Sequence, residues 1–215
     1  MTDHDRLMAA LRWRALLLQT ALALYIGATL IAFGAGAVLV NNLDGMVRLG
    51  AALVAALIFS APTLVLVLLA GLVWVWRAHA NLRDLGIADL RYSPVWATGS
   101  WLVPFANFVV PRRAMRELWN RSAGEDQYQA EQEVTAITGW WSCLLGGALF
   151  QAVFLMTLSL DSLPGVRVIT SPFLIMIIGG LGMMLLLVSA VMLFQVVRQI
   201  TRSQKALVRT SGVFD

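Results

Sequence analysis

The chain has 215 residues, of which 59% are hydrophobic and only 13% are charged. Soluble domains carry about 25% charged residues, so this composition excludes an ordinary water-soluble domain and indicates that much of the surface faces lipid. The net charge of +4 could suggest a nucleic-acid ligand in a soluble protein. Here the basic residues lie at the ends of apolar runs, which instead predicts contact with anionic membrane lipids and no nucleic-acid partner.

Four long apolar runs without charges dominate the sequence. Each exceeds the roughly 20 residues that a helix needs to cross about 30 Å of hydrocarbon. We therefore predict an all-α integral membrane protein that forms a single membrane domain, with transmembrane helices at about 15–41, 50–76, 135–160 and 172–197. The middle of each run lacks ionisable residues, which disfavours a proton-driven transporter because such proteins place charges within the bilayer.

Small residues recur at helical spacing in three of these runs. Such stripes allow helix backbones to approach closely. They predict packing within the helical bundle, with self-association as the alternative. The stripes comprise Ala28, Ala32 and Gly36 in the first run, Gly139, Cys143 and Gly147 in the third, and Gly182 and Ala190 in the fourth.

A fifth uncharged run, residues 92–111, is long enough to cross the membrane but has an unsuitable composition. Pro94, Pro104 and Pro111 each remove a backbone donor and interrupt a helix. Ser93 and Asn107 add polar side chains. This composition predicts a segment at about 92–110 that is re-entrant or interfacial.

The distribution of Lys and Arg favours the same topology. With four spans and cytoplasmic termini, fourteen of the sixteen basic residues lie inside and two, Arg48 and Arg167, lie outside. If residues 92–111 also crossed, seven would lie inside and nine outside. Because positive charge accumulates on the cytoplasmic side, we predict four spans in a bacterial plasma membrane with both termini cytoplasmic.

The eight tryptophans are expected at or near the cytoplasmic ends of the spans in this topology. Tryptophan usually anchors both membrane interfaces. Their expected one-sided placement is compatible with simple anchoring, and it also suggests a headgroup or ligand site built from Trp and Arg. They are Trp13, Trp74, Trp76, Trp96, Trp101, Trp119, Trp140 and Trp141.

A short basic amphipathic helix is predicted at about 111–122. Pro111 suits the first turn of a helix. Ala114, Met115, Leu118 and Trp119 can share an apolar face, and the remaining positions are largely polar. This pattern is typical of a helix that lies in the membrane interface. The residues expected outside the apolar face are Arg112, Arg113, Arg116 and Asn120.

Four acidic residues follow this helix, at Glu125, Asp126, Glu131 and Glu133. They could pair with the arginines of the preceding helix. A solvated acidic face is the favoured interpretation, because exposed ion pairs contribute little stability.

The sequence contains no recognisable catalytic or metal-binding motif. Cys143 is the single cysteine, and His4 and His79 lack the spacing of metal ligands. We therefore expect no catalytic residues, no cofactor and no metal site. A lipid-modifying enzyme is the weakest of the functions considered.

The segments WRAHANLRDLG and SPVWATGSWLVPFANFVVPRRAMRELW resemble a bacterial membrane domain family of unknown function. The similarity lies in W-x-x-x-A-N-L-x-x-L-G, followed by S-P-x-W, W-x-x-P-x-x-N-x-x-x-P and a final L-W. It covers about 45 residues, and the flanking spans fit the family's layout. The double arginine after Pro111 departs from the pattern, which has an aromatic position there. The resemblance implies no enzymatic activity.

Two functions follow as hypotheses. The first is a non-enzymatic scaffold or accessory module that binds lipid or a protein partner through a cytoplasmic face rich in Trp and Arg. The second is a channel or transporter for a small solute or lipid, with the re-entrant segment, Asn81, Asn107 and Gln151 along its path. The candidate binding or structural residues are Trp76, Asn81, Arg83, Trp96, Trp101, Pro104, Asn107, Pro111, Arg112, Arg113, Arg116 and Trp119.

Overall fold

The computed structural model describes residues 3–42, 44–165 and 170–211, and every regular element in these ranges is helical. The α-helices are α1 (Asp3–Leu39), α2 (Gly45–Asp84), α3 (Pro94–Gly99), α4 (Val110–Ser122), α5 (Thr135–Asp161) and α6 (Pro172–Ser211). A single turn of 3₁₀ helix, Ala106–Phe108, lies between α3 and α4.

Four helices, α1, α2, α5 and α6, are long and apolar enough to cross a membrane. This confirms the predicted number of apolar helices. The fifth run is different, because its longest helix before α4 is the six-residue α3. At 1.5 Å per residue, α3 spans only about 9 Å, so this run does not cross a bilayer as a helix.

The helices α2 and α6 continue beyond their predicted apolar spans. α2 extends to Asp84 and α6 to Ser211. Their extensions bury side chains such as Leu82 and Ile200, which are 0% and 1% exposed. Tertiary burial therefore stabilises these extensions.

The chain forms two compact units. The first comprises Met1–Ala21, Leu66–Gly139 and Met192–Asp215. It therefore contains both chain ends and the whole segment between α2 and α5. By sequence it also holds fourteen of the sixteen Lys and Arg residues. The exceptions are Arg48 and Arg167, of which Arg167 lies outside the described residues.

The second unit comprises Leu22–Val65 and Trp140–Val191. Its buried apolar core contains Leu53, Ala56, Phe154 and Met183. Close helix contacts surround this core at glycines of the predicted stripes. A Cβ on Gly36 would lie 2.9 Å from Ala52 Cα, and one on Gly147 would lie 3.0 Å from the Leu186 backbone nitrogen. The close approach predicted from the small residues is confirmed at these two positions.

Replacement of Gly36 by alanine tests this packing. The new methyl group would meet backbone, which cannot rotate away, so we expect a destabilisation of about 1–3 kcal/mol. Gly34 is a matched control in the same helix, since a Cβ there would meet nothing within 4 Å. Gly34→Ala should be neutral or stabilising by up to about 1 kcal/mol. Unfolding in detergent measures both variants, and equal stabilities would contradict the close contact.

Candidate functional site

The segment between α2 and α5 is organised by polar side chains of α4. Glu117 is 4% exposed and accepts two backbone hydrogen bonds. The Arg91 N–H donates to Oε1 at 2.6 Å, and the Tyr92 N–H donates to Oε2 at 3.2 Å. Glu117 thereby fixes the chain immediately before α3.

Asn120 fixes a second loop one turn further along α4. Its side-chain amide donates to the carbonyl oxygens of Gln129, Ala130 and Gln132 at 3.1, 3.1 and 3.0 Å. Asn120 is only 6% exposed. The sequence placed this residue outside the apolar face of the helix, and the structure shows that it is nevertheless buried, because its amide supplies the donors that the loop carbonyls need inside the protein.

Arg121 connects both loops to the same helix. Its guanidinium donates to the Ala88 carbonyl at 2.7 Å and to the Glu125 carbonyl at 2.9 Å. Gly124 then ends the helix with φ +90, while Glu125 N–H donates to the Asn120 carbonyl at 3.1 Å. Glycine favours this left-handed conformation because it has no Cβ. Glu117, Asn120 and Arg121 together form what we term the α4 clamp.

The same helix-ending geometry explains part of the sequence motif at the end of α2. Gly86 has φ +74, and the Ile87 N–H donates to the Leu82 carbonyl at 3.1 Å. At the next element, Ser93 caps α3 by accepting a hydrogen bond from the Trp96 N–H at 3.0 Å. Pro94 occupies the first turn, where a missing N–H costs nothing. These motif positions therefore define helix boundaries.

Two of the predicted basic residues are engaged by an acid of the same unit. Arg112 donates to both oxygens of Glu133 at 2.9 Å, and Arg116 donates to Oε1 at 2.5 Å. Thr138 also donates to Glu133, at 2.8 Å. The Thr138 hydrogen bond and the two arginine charges lower the pKa of the Glu133 carboxyl.

The remaining basic candidates are less engaged. Arg83 and Arg113 are exposed. Arg91, in contrast, pairs with Glu131. Glu133 therefore forms the ion pairs that the sequence left as an alternative, Glu131 pairs with a different arginine, and both side chains remain exposed to solvent.

The tryptophans occupy different environments. Trp74 and Trp140 are 0% and 2% exposed, whereas Trp76 and Trp96 are 40% and 45% exposed. Trp101 and Trp119 are half-buried. The Arg14 guanidinium carbon lies 5.7 Å from the centre of the Trp76 ring, within range of a cation–π interaction. Only part of the predicted tryptophan set is therefore available to a ligand surface.

Of the three amide side chains predicted to line a transport path, Asn81 and Gln151 are buried and hydrogen-bonded within the protein, and Asn107 is half-buried. Asn81 is 1% exposed and donates to Gln204 Oε1 at 3.5 Å. Gln204 in turn donates to the Ala78 carbonyl at 3.0 Å and to Ser122 Oγ at 3.1 Å. These contacts join α2, α4 and α6 of the first unit through one buried network.

Asn107 and Gln151 lie apart from this network. Asn107 is half-buried within the 3₁₀ turn, close to the exposed Pro104. Gln151, in the second unit, is 6% exposed and donates to the Gly179 carbonyl at 3.2 Å. Pro111 is buried in the first turn of α4, as predicted for a helix start.

A cavity of about 300 Å³ lies between α4 and the two loops that the α4 clamp holds. Tyr92 and Tyr128 contribute aromatic rings to its lining. Six charged side chains, three of each sign, also line it: Asp89, Arg91, Arg113, Arg116, Glu117 and Glu131. In the described part of the chain, no group of three or more His, Cys, Asp or Glu is arranged to hold a metal ion.

A family model described as "Domain of unknown function (DUF4328)" matches residues 40–202. The chain belongs to the DUF4328 family. The predicted membership of a family of unknown function is thus confirmed. No curated protein and no solved structure gives a significant match. The DUF4328 match includes the cavity and the entire α4 clamp.

The sequence prediction missed the α4 clamp. Glu117, Asn120 and Arg121 follow i, i+3, i+4 spacing, which places them on one side of a helix. That spacing was the available signal for a shared role. The neighbouring arginines instead led to the prediction of a basic amphipathic helix at the membrane interface.

The pH dependence of folding tests the environment of Glu117. Burial raises the pKa of the Glu117 carboxyl above 4.5, although the Arg91 and Tyr92 N–H groups and the charges of Arg121 and Arg91 oppose the shift. The native state therefore binds this proton more tightly than the unfolded chain does. The resulting contribution to stability is complete below pH 4.5 and is lost as the pH rises through the raised pKa.

We expect Glu117→Gln to remove this component of the pH dependence. Thermal unfolding in detergent between pH 4.5 and neutral pH should show a smaller decrease in midpoint for the variant than for the parent protein. Glu125→Gln, in an exposed loop, serves as the control. Parallel pH profiles for the parent and Glu117→Gln would contradict the raised pKa.

Proposed function

We propose that the protein is a non-enzymatic module of the bacterial plasma membrane that binds phospholipid in the cytoplasmic leaflet. The segment from Val95 to Val109 enters that leaflet and returns to the same side. One observation carries the proposal: this segment, whose regular structure is limited to most of α3 and the 3₁₀ turn, exposes large apolar side chains. Val95, Leu102 and Phe105 are 73%, 78% and 85% exposed, and Trp96, Val103, Phe108 and Val109 are also exposed.

Lipid is a favourable environment for these side chains. Transfer of a Leu or Phe side chain out of water contributes about 1.5–3 kcal/mol. The same chain carries four helices that are long and apolar enough to cross a membrane. Exposed apolar side chains clustered in one short segment are typical of a membrane or partner interaction site.

The backbone of the segment also suits a lipid environment. An irregular chain in lipid must satisfy its polar groups internally. Local hydrogen bonds do this at Ser100, Trp101, Leu102, Ala106, Asn107, Phe108 and Val109, whose N–H groups donate to nearby carbonyls. Pro104 has no N–H to satisfy. These local hydrogen bonds and the absent N–H of Pro104 therefore reduce the number of unpaired backbone donors in the segment.

Charge supports the cytoplasmic orientation of the first unit. This unit contains both chain ends, the re-entrant segment and fourteen of the sixteen basic residues. The positive-inside rule places such a unit at the cytoplasmic face. Arg113 is the exposed arginine of α4, whereas Arg112 and Arg116 bind Glu133. We therefore assign the first headgroup contact on this helix to Arg113.

Native mass spectrometry of the purified full-length protein tests the proposal through the phospholipids that remain bound. The test variant is Leu102→Ser with Phe105→Ser. The control is Ile58→Ser with Phe59→Ser, which alters side chains that are 62% and 69% exposed on α2. We expect the test variant to retain several-fold less lipid than the control. Equal retention, with both proteins folded, would overturn the assignment of lipid binding to this segment.

A further inference from the structure

The volume of the cavity beside α4 and the charges of its lining residues indicate which ligands can bind there. Its volume of about 300 Å³ lies at the lower end of small-molecule sites, which range from about 300 to 1,000 Å³. A lipid headgroup or a comparably small solute therefore suits it. Its charged lining is balanced, with three arginines and three carboxylates. A ligand of a single charge would meet repulsion from half of these groups.

Most of the six charges are already engaged within the protein. Arg91 pairs with Glu131, and Arg116 pairs with Glu133. Glu117 accepts the N–H groups of the chain before α3. Among the described residues, no ion pair or side-chain hydrogen bond engages Arg113 or Asp89. The cavity thus offers one available cation and one available anion.

We propose that this cavity binds a zwitterion that carries an oxyanion and an ammonium group, of the phosphoethanolamine type. Arg113 binds the oxyanion, because a guanidinium presents paired N–H donors to phosphate oxygens. Asp89 binds the ammonium group. Tyr128, whose side chain is 83% exposed, offers the ammonium an aromatic face. Binding of the zwitterion as part of a lipid rests on the proposed function, whereas binding of the free solute does not.

The walls of the cavity are fixed before any ligand arrives. Asn120 holds the loop that carries Tyr128 and Glu131, and Arg121 holds the chain at Ala88, next to Asp89. Asp89 itself has φ +57, a left-handed conformation that Asp and Asn tolerate better than most residues. Such preorganisation lowers the entropic cost of binding. It also makes Asp89→Asn a variant that removes the charge while preserving the backbone preference.

Calorimetry on the full-length protein in detergent measures binding of phosphoethanolamine, glycerol phosphate and ethanolamine. We expect phosphoethanolamine to bind about tenfold more tightly than glycerol phosphate or ethanolamine. Glycerol phosphate can make only the contact with Arg113, and ethanolamine only the contact with Asp89. Asp89→Asn should remove the preference over glycerol phosphate, and Arg113→Gln should remove the preference over ethanolamine. Arg202→Gln, an exposed arginine that does not line the cavity, should leave both preferences unchanged.

Two results would overturn the proposal. One is the absence of a preference for phosphoethanolamine in the parent protein. The other is a preference that survives both Asp89→Asn and Arg113→Gln. The Leu102→Ser, Phe105→Ser variant should still bind free phosphoethanolamine, because neither residue lines the cavity. Loss of lipid retention in that variant therefore reports on the proposed function alone.

A second arm identifies the source of the zwitterion. Nanodiscs that contain phosphatidylethanolamine are compared with nanodiscs of phosphatidylglycerol. If the lipid headgroup occupies the cavity, phosphatidylethanolamine should weaken the binding of free phosphoethanolamine several-fold, and Asp89→Asn should abolish this competition. Equal binding in the two nanodiscs, with the charge preferences intact, assigns the cavity to a free solute.

Discussion

Replacement of Asn120 by alanine is expected to destabilise the first unit by about 1–3 kcal/mol. The substitution leaves the Ala130 and Gln132 carbonyls without their donor and the Gln129 carbonyl with only the Gln132 N–H, and a buried unsatisfied polar group carries a cost of this size. Asn120→Asp should be at least as damaging. Its carboxylate has the same shape but can only accept hydrogen bonds, so it repels the three carbonyl oxygens.

Limited proteolysis and thermal unfolding in detergent measure this effect. We expect faster cleavage between residues 125 and 133 in both Asn120 variants. Gln132→Ala is the control, because it changes an exposed side chain of the same loop and leaves the Asn120 contacts in place. Cleavage rates in Asn120→Ala that match this control would show that the amide does not hold the loop.

Replacement of Gln204 by leucine is expected to cost about 2–3 kcal/mol. Gln204 is 0% exposed and donates to Ala78 and Ser122 while accepting from Asn81. Leucine leaves the Asn81 amide and the Ser122 hydroxyl buried without this partner, at about 1–3 kcal/mol for each group that finds no substitute, whereas the Ala78 carbonyl keeps its hydrogen bond within α2. Gln199→Leu, at an exposed position of the same helix, should have little effect.

A double-mutant cycle distinguishes this network from simple packing. Each single variant, Asn81→Leu or Gln204→Leu, leaves the amide of the other residue without its partner. The double variant removes both amides, so neither of them is left buried and unpaired. The double variant should therefore lose less stability than the sum of the two single losses. Strict additivity would indicate that Asn81 and Gln204 do not interact.

The sequence predicts those parts of the fold that depend on local composition. Apolar runs of sufficient length locate the four long helices because hydrocarbon thickness sets their minimum length. Pro111 locates the start of α4, since proline tolerates the geometry of a first turn, whereas Pro94 and Pro104 were predicted only to interrupt a helix. The same prolines correctly exclude a fifth long helix.

The contacts that build the candidate site were beyond prediction because their partners are distant along the chain. Glu117 binds N–H groups 25 and 26 residues away, and Asn81 meets Gln204 across 123 residues. Nothing local specifies such pairs. The periodicity of α4 also misled, because a buried Asn and an exposed Arg are both polar in a hydrophobicity pattern. Only the tertiary fold shows that Asn120 points inward while Arg113 faces outward.

The most direct test of the central claim measures whether the segment after α3 lies in lipid. A spin label is placed at Leu102→Cys, and a second at Tyr128→Cys, each in a Cys143→Ser background in reconstituted membranes. Both native side chains are exposed, at 78% and 83%. Oxygen, which concentrates in lipid, should relax the spin label at position 102 more strongly than the label at position 128. A water-soluble nickel chelate should relax the label at position 128 more strongly. If the nickel chelate reaches both labels equally, the segment lies in water and the proposed lipid contact is contradicted.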